Sequence, residues 1–140
     1  MNAPLYTMQI LRLAASLREP VPLDRVDVEA ELRSPTCGSL IRVAVQLDGK
    51  GRVESLAQEV QACAFGQAAA ALMEQHAIGR DRGEAVAALA SLTRWLDGQQ
   101  DAPGDWPGLA ALAPARSRKA RHGAILLPFR ALATAMEQVR

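Results

Sequence analysis

Val26-Asp27-Val28-Glu29-Ala30-Glu31-Leu32-Arg33 places an apolar side chain at every second position. That period of two is the mark of a strand with one buried and one wet face. Two further stretches follow it. Ile41, Val43, Val45 and Leu47 share one face of the next, and Arg52 to about Gln61 continues less regularly. The connections are turn-rich. Ser34-Pro35-Thr36-Cys37-Gly38-Ser39 breaks the first alternation, and Asp48-Gly49-Lys50-Gly51 is a strong hairpin signal. Three strands near 26–34, 40–48 and 52–61 therefore predict an antiparallel meander.

At Cys63 the period changes to 3.6. Helices are predicted from Phe65 to about His76, with Gly79 as a stop, from Glu84 to about Leu96, and from Arg118 to about Val139. Val86, Leu89, Ala90, Leu92 and Leu96 form the inward set of the second of these. Leu126, Leu127, Leu132 and Met136 form that of the last, where Pro128 marks a kink or a late start. Residues 98–108 read as a loop and Leu109 to Leu112 as a short turn. Ahead of the strands, Leu5, Met8, Leu11 and Ala15 outline another helix, widened by Ile10, Leu13 and Leu17 and ended by Pro20 and Pro22. Strands first and helices after gives α+β: a three-stranded antiparallel sheet with helices packed on one face, in a single domain over 1–140.

Composition narrows the function. Of 140 residues, 49% are hydrophobic and 22% charged, which suits an ordinary folded domain. A net charge of +1 gives no reason to expect nucleic acid, and the absence of an apolar run of about 18 residues predicts no membrane span. No leader pattern is seen at Met1 to Tyr6, so the expected compartment is the cytoplasm. No phosphate-cradling glycine motif occurs, so no nucleotide site is expected, and with only two histidines and no carboxylate constellation a hydrolase is a poor fit.

The chemistry-bearing residues are few. Cys37 lies in a turn beside Gly38, where a thiol is accessible. It also reads as a free cysteine that happens to lie there. Cys63 stands where strand hands over to helix, and a helix N-terminus favours thiolate, the form that binds metal. It also reads as a small core residue opening an alanine-rich helix. The two are 26 residues apart, which matches no compact zinc motif. Their interest is positional, since both end strands of one meander. Thiols sharing an ion at about 2.3 Å each need sulfurs within roughly 4 Å of one another. His122 follows a basic run, Arg116, Arg118, Lys119 and Arg121. That run reads as a solvated face or as a docking patch for an acidic partner.

The ordered pattern is more specific than its parts. Tyr6 opens the first helix, a strand leads into Thr36-Cys37-Gly38-Ser39, and a strand ends in Ala62-Cys63-Ala64 ahead of a Gln/Ala-rich helix. Arg121 then precedes Leu126-Leu127-Pro128-Phe129-Arg130-Ala131-Leu132. This resembles the IscU/NifU N-terminal family of iron–sulfur cluster assembly scaffolds over nearly the whole chain. The resemblance implies a non-enzymatic carrier of a transient iron–sulfur cluster, or of a zinc or iron ion, that works with a cysteine desulfurase and other cluster-assembly proteins. It maps the family's first two ligand cysteines onto Cys37 and Cys63. The third falls on Ala124, and the family's aspartate is Ser39. With two donors left of about four, His122, two residues before Ala124, is the candidate third metal ligand, since imidazole replaces thiolate in Rieske-type centres. Residues two apart on a helix point roughly 200° apart, so this needs a helix that begins nearby or shifts register. The alternative implied by likeness to the SufE family is a persulfide acceptor using Cys37, with Cys63 structural. A scaffold that keeps the fold and acts only as a binding partner is the third reading.

Overall fold

The computed structural model describes residues 6–34 and 38–139. Cys37 and Leu5 therefore lie outside the described residues. The elements run α1 (Met8–Ala15), β1 (Val28–Arg33), β2 (Leu40–Leu47), β3 (Val53–Gln61), α2 (Ala64–His76), α3 (Arg82–Leu96), a 3-10 helix (Leu109–Ala115) and α4 (Lys119–Met136).

The strands form one antiparallel sheet in the order β1-β2-β3, as the alternation predicts. Val28, Ile41, Val43, Val45 and Leu56 are buried on its inner face. Glu31, Arg42 and Glu59 lie in line across the outer face, directly opposite one another in register. Arg42 bridges both neighbours, at 2.7 Å to Glu31 and 3.4 Å to Glu59, and these carboxylates raise the pKa of its guanidinium. Like charges directly opposite across strands are destabilising. Arg42→Glu, which makes a row of three carboxylates, is expected to lower the melting temperature, and added salt to recover part of the loss.

Side chains anchor the ends of the sheet away from the thiols. Asp48 Oδ1 accepts the Lys50 and Arg52 N–H groups, and Gly51 takes φ +75° to close the hairpin. Asp27 accepts the Leu47 N–H and pairs with Arg25 at 3.0 Å. These hydrogen bonds hold both carboxyls below their usual value of 3.8. The stability they contribute is therefore complete above that pH and is lost as pH falls through their lowered values. Denaturation at pH 7 and pH 3 should show a drop between the two that Asp27→Asn and Asp48→Asn each make smaller.

The helices depart from the sequence reading in which faces they bury. In α1 the Met8/Leu11 stripe faces solvent, at 65% and 46% exposure, and Ile10 alone is buried. Two overlapping apolar stripes run along this helix, and α1 turns the one through Ile10, Leu13 and Ala14 inward as it packs on α2. In α3, Val86 is exposed. Its inward line is Ala85, Leu92 and Leu96, joined by Trp95, and a capping box between Asp81 and Glu84 starts the helix two residues before Glu84. β1 begins at Val28, two residues later than the alternation predicts, and Val26 is exposed. The turn read at Leu109 to Leu112 is a longer 3-10 helix. The last helix keeps its predicted core residues and buries nearly its whole circumference from Ala124 to Phe129, with Pro128 inside it. It lies against β1 and β2 on one side and against α2 and α3 on others. A helix buried on all sides has no strong amphipathic signature to read.

Two buried polar ties were also not legible. Trp106, from the loop, donates to the Leu72 carbonyl at 2.9 Å and packs edge-on against Phe129. Glu74 on α2 is buried, and accepts from Gln58 Nε2 and from the Arg18 N–H beyond α1. Among the described residues, no helix is long and apolar enough to cross a membrane.

Candidate functional site: a thiol at one rim of the sheet

One end of the sheet gathers the residues that flank both cysteine positions. Arg33 pairs with Leu40, and Leu40 pairs with Gln61 on its other side. Beyond that row, Ser34 N–H donates to the Ser39 carbonyl at 2.9 Å, and Gly38 N–H donates to the Ser34 carbonyl. Gly38 has φ +70°, a conformation that side chains with a Cβ rarely adopt, so this turn needs its glycine. Cys37 itself is outside the described residues, and with it the expected approach of the two sulfurs.

Cys63 stands at this rim as the N-cap of α2, with extended backbone (φ −66°, ψ 173°). Its carbonyl accepts the Gln67 N–H, which starts the helix. Its thiol is free, half-buried and makes no capping hydrogen bond. Gln67 Nε2 ties the preceding Ala62 carbonyl back to the helix at 3.0 Å. Two residues further on, Phe65 packs against Tyr6, the rings tilted with centroids 5.3 Å apart. The backbone leaving β3 is thus fixed on both sides of Cys63.

Ala124 on α4 packs close to Gly66 of α2. A Cβ built on Gly66 falls 3.4 Å from the Ala124 Cβ, 3.3 Å from its carbonyl oxygen and 2.6 Å from the Ala62 Cβ. Gly66 is three residues after Cys63, on the same side of α2. This contact of α4 with α2 puts Ala124 near the first turn of the helix that Cys63 opens. Sequence reasoning missed Gly66. Its signal was a glycine inside an alanine-rich helix, where an unexplained glycine is costly and marks a close approach.

His122 lies on a regular stretch of α4, with the register that separates it from Ala124 by roughly 200°. Its Nε2 is 2.9 Å from the Ala115 carbonyl and 3.1 Å from that of Arg116. Both neighbours are acceptors, so this nitrogen carries the proton and donates, leaving Nδ1 as the nitrogen with a free pair. The basic run is divided too. Arg116 is structural: it donates to the Trp95 and Gln100 carbonyls and stacks over Trp95. Arg118 and Lys119 are exposed. Among the described residues, no group of three or more His, Cys, Asp and Glu side chains is placed to hold a metal ion.

A three-stranded antiparallel sheet backed on one face by helices, with a cysteine opening the helix after the third strand, defines an α+β domain. No family model matches the chain, and no curated protein does. Solved structures do. A nitrogen-fixing NifU-like protein (N-terminal part) from Brucella abortus superposes with a TM-score of 0.89 at 33% identity, over 96% of this chain and 94% of that one. A putative iron–sulfur cluster assembly scaffold protein for the SUF system from Fervidobacterium islandicum AW-1 superposes at 0.84 with 18% identity, over 94% and 96%, and so shares the fold. The chain belongs to the NifU-like N-terminal family of the IscU/NifU type.

Proposed function

We infer that the protein is an accessory carrier in iron–sulfur cluster assembly. It holds an iron or zinc ion, or a labile cluster, through Cys37 and Cys63, and receives sulfur from a cysteine desulfurase. The observation that supports this is the free thiol of Cys63 at the end of the sheet where Ser34 bonds to Ser39, with Ala124 on α4 close to Gly66 of the helix that Cys63 opens. Two thiolates leave about two positions of a four-coordinate ion for water or for a partner's side chain. That open coordination suits handing a metal on more than keeping it. The protein is a carrier in this reading, not an enzyme, and it acts in the cytoplasm.

Anaerobic purification tests it. Bound iron or zinc, or ligand-to-iron absorption, that disappears in both Cys37→Ser and Cys63→Ser supports the two-thiol site. Retention in both variants overturns it. Loss of activity with a desulfurase in Cys37→Ser alone, with no metal in the wild type, favours the persulfide acceptor instead. His122 enters the ligand set through Nδ1 after its ring leaves the Ala115 and Arg116 carbonyls. Metal retention at pH 7.5 in His122→Ala decides this: a loss keeps it as third donor, and equal retention removes it. In either case the variant loses the hydrogen bond between α4 and the 3-10 helix, at a cost of about 1 kcal/mol in chemical denaturation.

A further inference from the structure

Ala62 and Cys63 alone join β3 to α2, between the last ladder pair, Leu40 with Gln61, and the first helical residue, Ala64. In so short a joint the thiol points wherever the two flanking peptide planes set it. The plane ahead of Cys63 carries the Ala62 carbonyl, and its rotation is the Cys63 φ angle. The plane after it carries the Cys63 carbonyl, and its rotation is ψ. Gln67 holds both planes. Its side-chain Nε2 donates to the Ala62 carbonyl at 3.0 Å, and its backbone N–H donates to the Cys63 carbonyl at 2.9 Å. Side chains of a helix lean toward its N-terminus, which is why a residue in the second turn reaches back past Cys63. The two bonds hold Cys63 at φ −66° and ψ 173°, and so fix the direction of its Cα–Cβ bond.

Helix starts are ordinarily tied by the N-cap side chain, which accepts a first-turn N–H. Two helices here follow that rule. Thr7 accepts the Ile10 N–H at the start of α1, and Asp81 accepts the Glu84 N–H at the start of α3. α2 does not. Its N-cap is Cys63, whose side chain makes no capping bond. The anchor comes from inside the helix instead, through Gln67, and the thiol is left without a structural task. We propose that Gln67 is a positioning residue of the thiol site: it takes over the anchoring of the α2 start and aims the Cys63 thiol, which stays free to bind a soft metal ion. The amide acts on the ion through Cys63, as the outer partners of metal ligands do. This role rests on the reading of Cys63 as a metal ligand.

Gln67→Met tests it, because methionine keeps the length and helix propensity of glutamine and removes only the side-chain donor. Two measurements on the full chain separate the role from the reading. The first is the rate at which N-ethylmaleimide modifies Cys63 in metal-free protein, followed by peptide mass spectrometry. With the Ala62 plane released, the half-buried thiol turns outward more often, and the rate should rise roughly five- to tenfold, the factor that one lost hydrogen bond allows. Thr93→Val removes a side-chain bond to the Leu89 carbonyl in α3, away from the thiol, and should leave the rate unchanged. An unchanged rate in Gln67→Met, or an equal rise in Thr93→Val, overturns the proposal. The second measurement is zinc affinity, which should fall about tenfold to a hundredfold in Gln67→Met and stay at the wild-type value in Thr93→Val. A rate that rises while the affinity holds also overturns the positioning role, since the aim of the thiol then does not matter to the ion. No zinc binding by the wild type, with the rise in rate intact, overturns the carrier reading and leaves Gln67 as the residue that aims the thiol.

Discussion

Ala124→Cys is expected to raise zinc affinity about a hundredfold. Structural zinc held by four protein ligands is bound with roughly 10–16 kcal/mol, so each added thiolate is worth a few kcal/mol where the geometry allows it. In the site proposed above, Ala124 is the position for that added thiolate. Ala124 is 1% exposed, and its Cβ lies beside Gly66, on the side of α2 that Cys63 opens. The substitution adds one sulfur at the position that the family resemblance assigns to the third ligand. Competition with a chromophoric chelator measures the change. An affinity equal to wild type means that the new thiol does not reach the ion, and that α4 does not complete the rim. The double variant Ala124→Cys with Cys63→Ser should fall back toward the wild type, because the gain depends on both sulfurs binding one ion.

Gly66→Ala should destabilise the fold by about 1–3 kcal/mol, the usual cost of forcing extra volume into a packed contact. Two effects oppose one another. Alanine is the better helix former by roughly 0.5–1 kcal/mol. Against this, the new methyl would stand 2.6 Å from the Ala62 Cβ, and also presses on Ala124. Both neighbours are short side chains fixed to backbone, and neither can swing away as a long flexible one would. The steric term therefore wins. Ala62→Gly removes the worst of the contact, so the double variant should recover most of the loss in urea denaturation. Full stability in Gly66→Ala alone would show that α2 and α4 can separate at this crossing without cost. Because Ala124 moves with α4, the same variant should also lower metal retention in the Ala124→Cys background.

Strand alternation carried most of what the sequence determined. The sheet, its antiparallel order and the hairpin at Asp48–Gly51 follow from a period of two, because each strand has one buried and one wet face. The switch of period at Cys63 likewise located the start of α2 within one residue. The ordered set of residues around Cys37, Cys63 and Leu126-Leu127-Pro128 pointed to the family before any coordinates did. Helix faces were a different matter. In α1, the sequence offers two apolar stripes with similar spacing, and only the position of α2 selects the one through Ile10. In α4, burial on nearly every side removes the polar face that periodicity needs as a reference. The site divides the same way. Residue type and position marked Cys37 and Cys63, because chemistry depends on which side chain stands at a given place, and the family resemblance alone pointed to Ala124. Tertiary packing alone decided that Ala124 meets Gly66 and that the His122 ring donates to the 3-10 helix. It also decided that the Gln138 side chain bonds to Glu29 of β1, 109 residues away in sequence. Each of these contacts depends on the angle and depth at which two separate elements meet, and no local spacing encodes that.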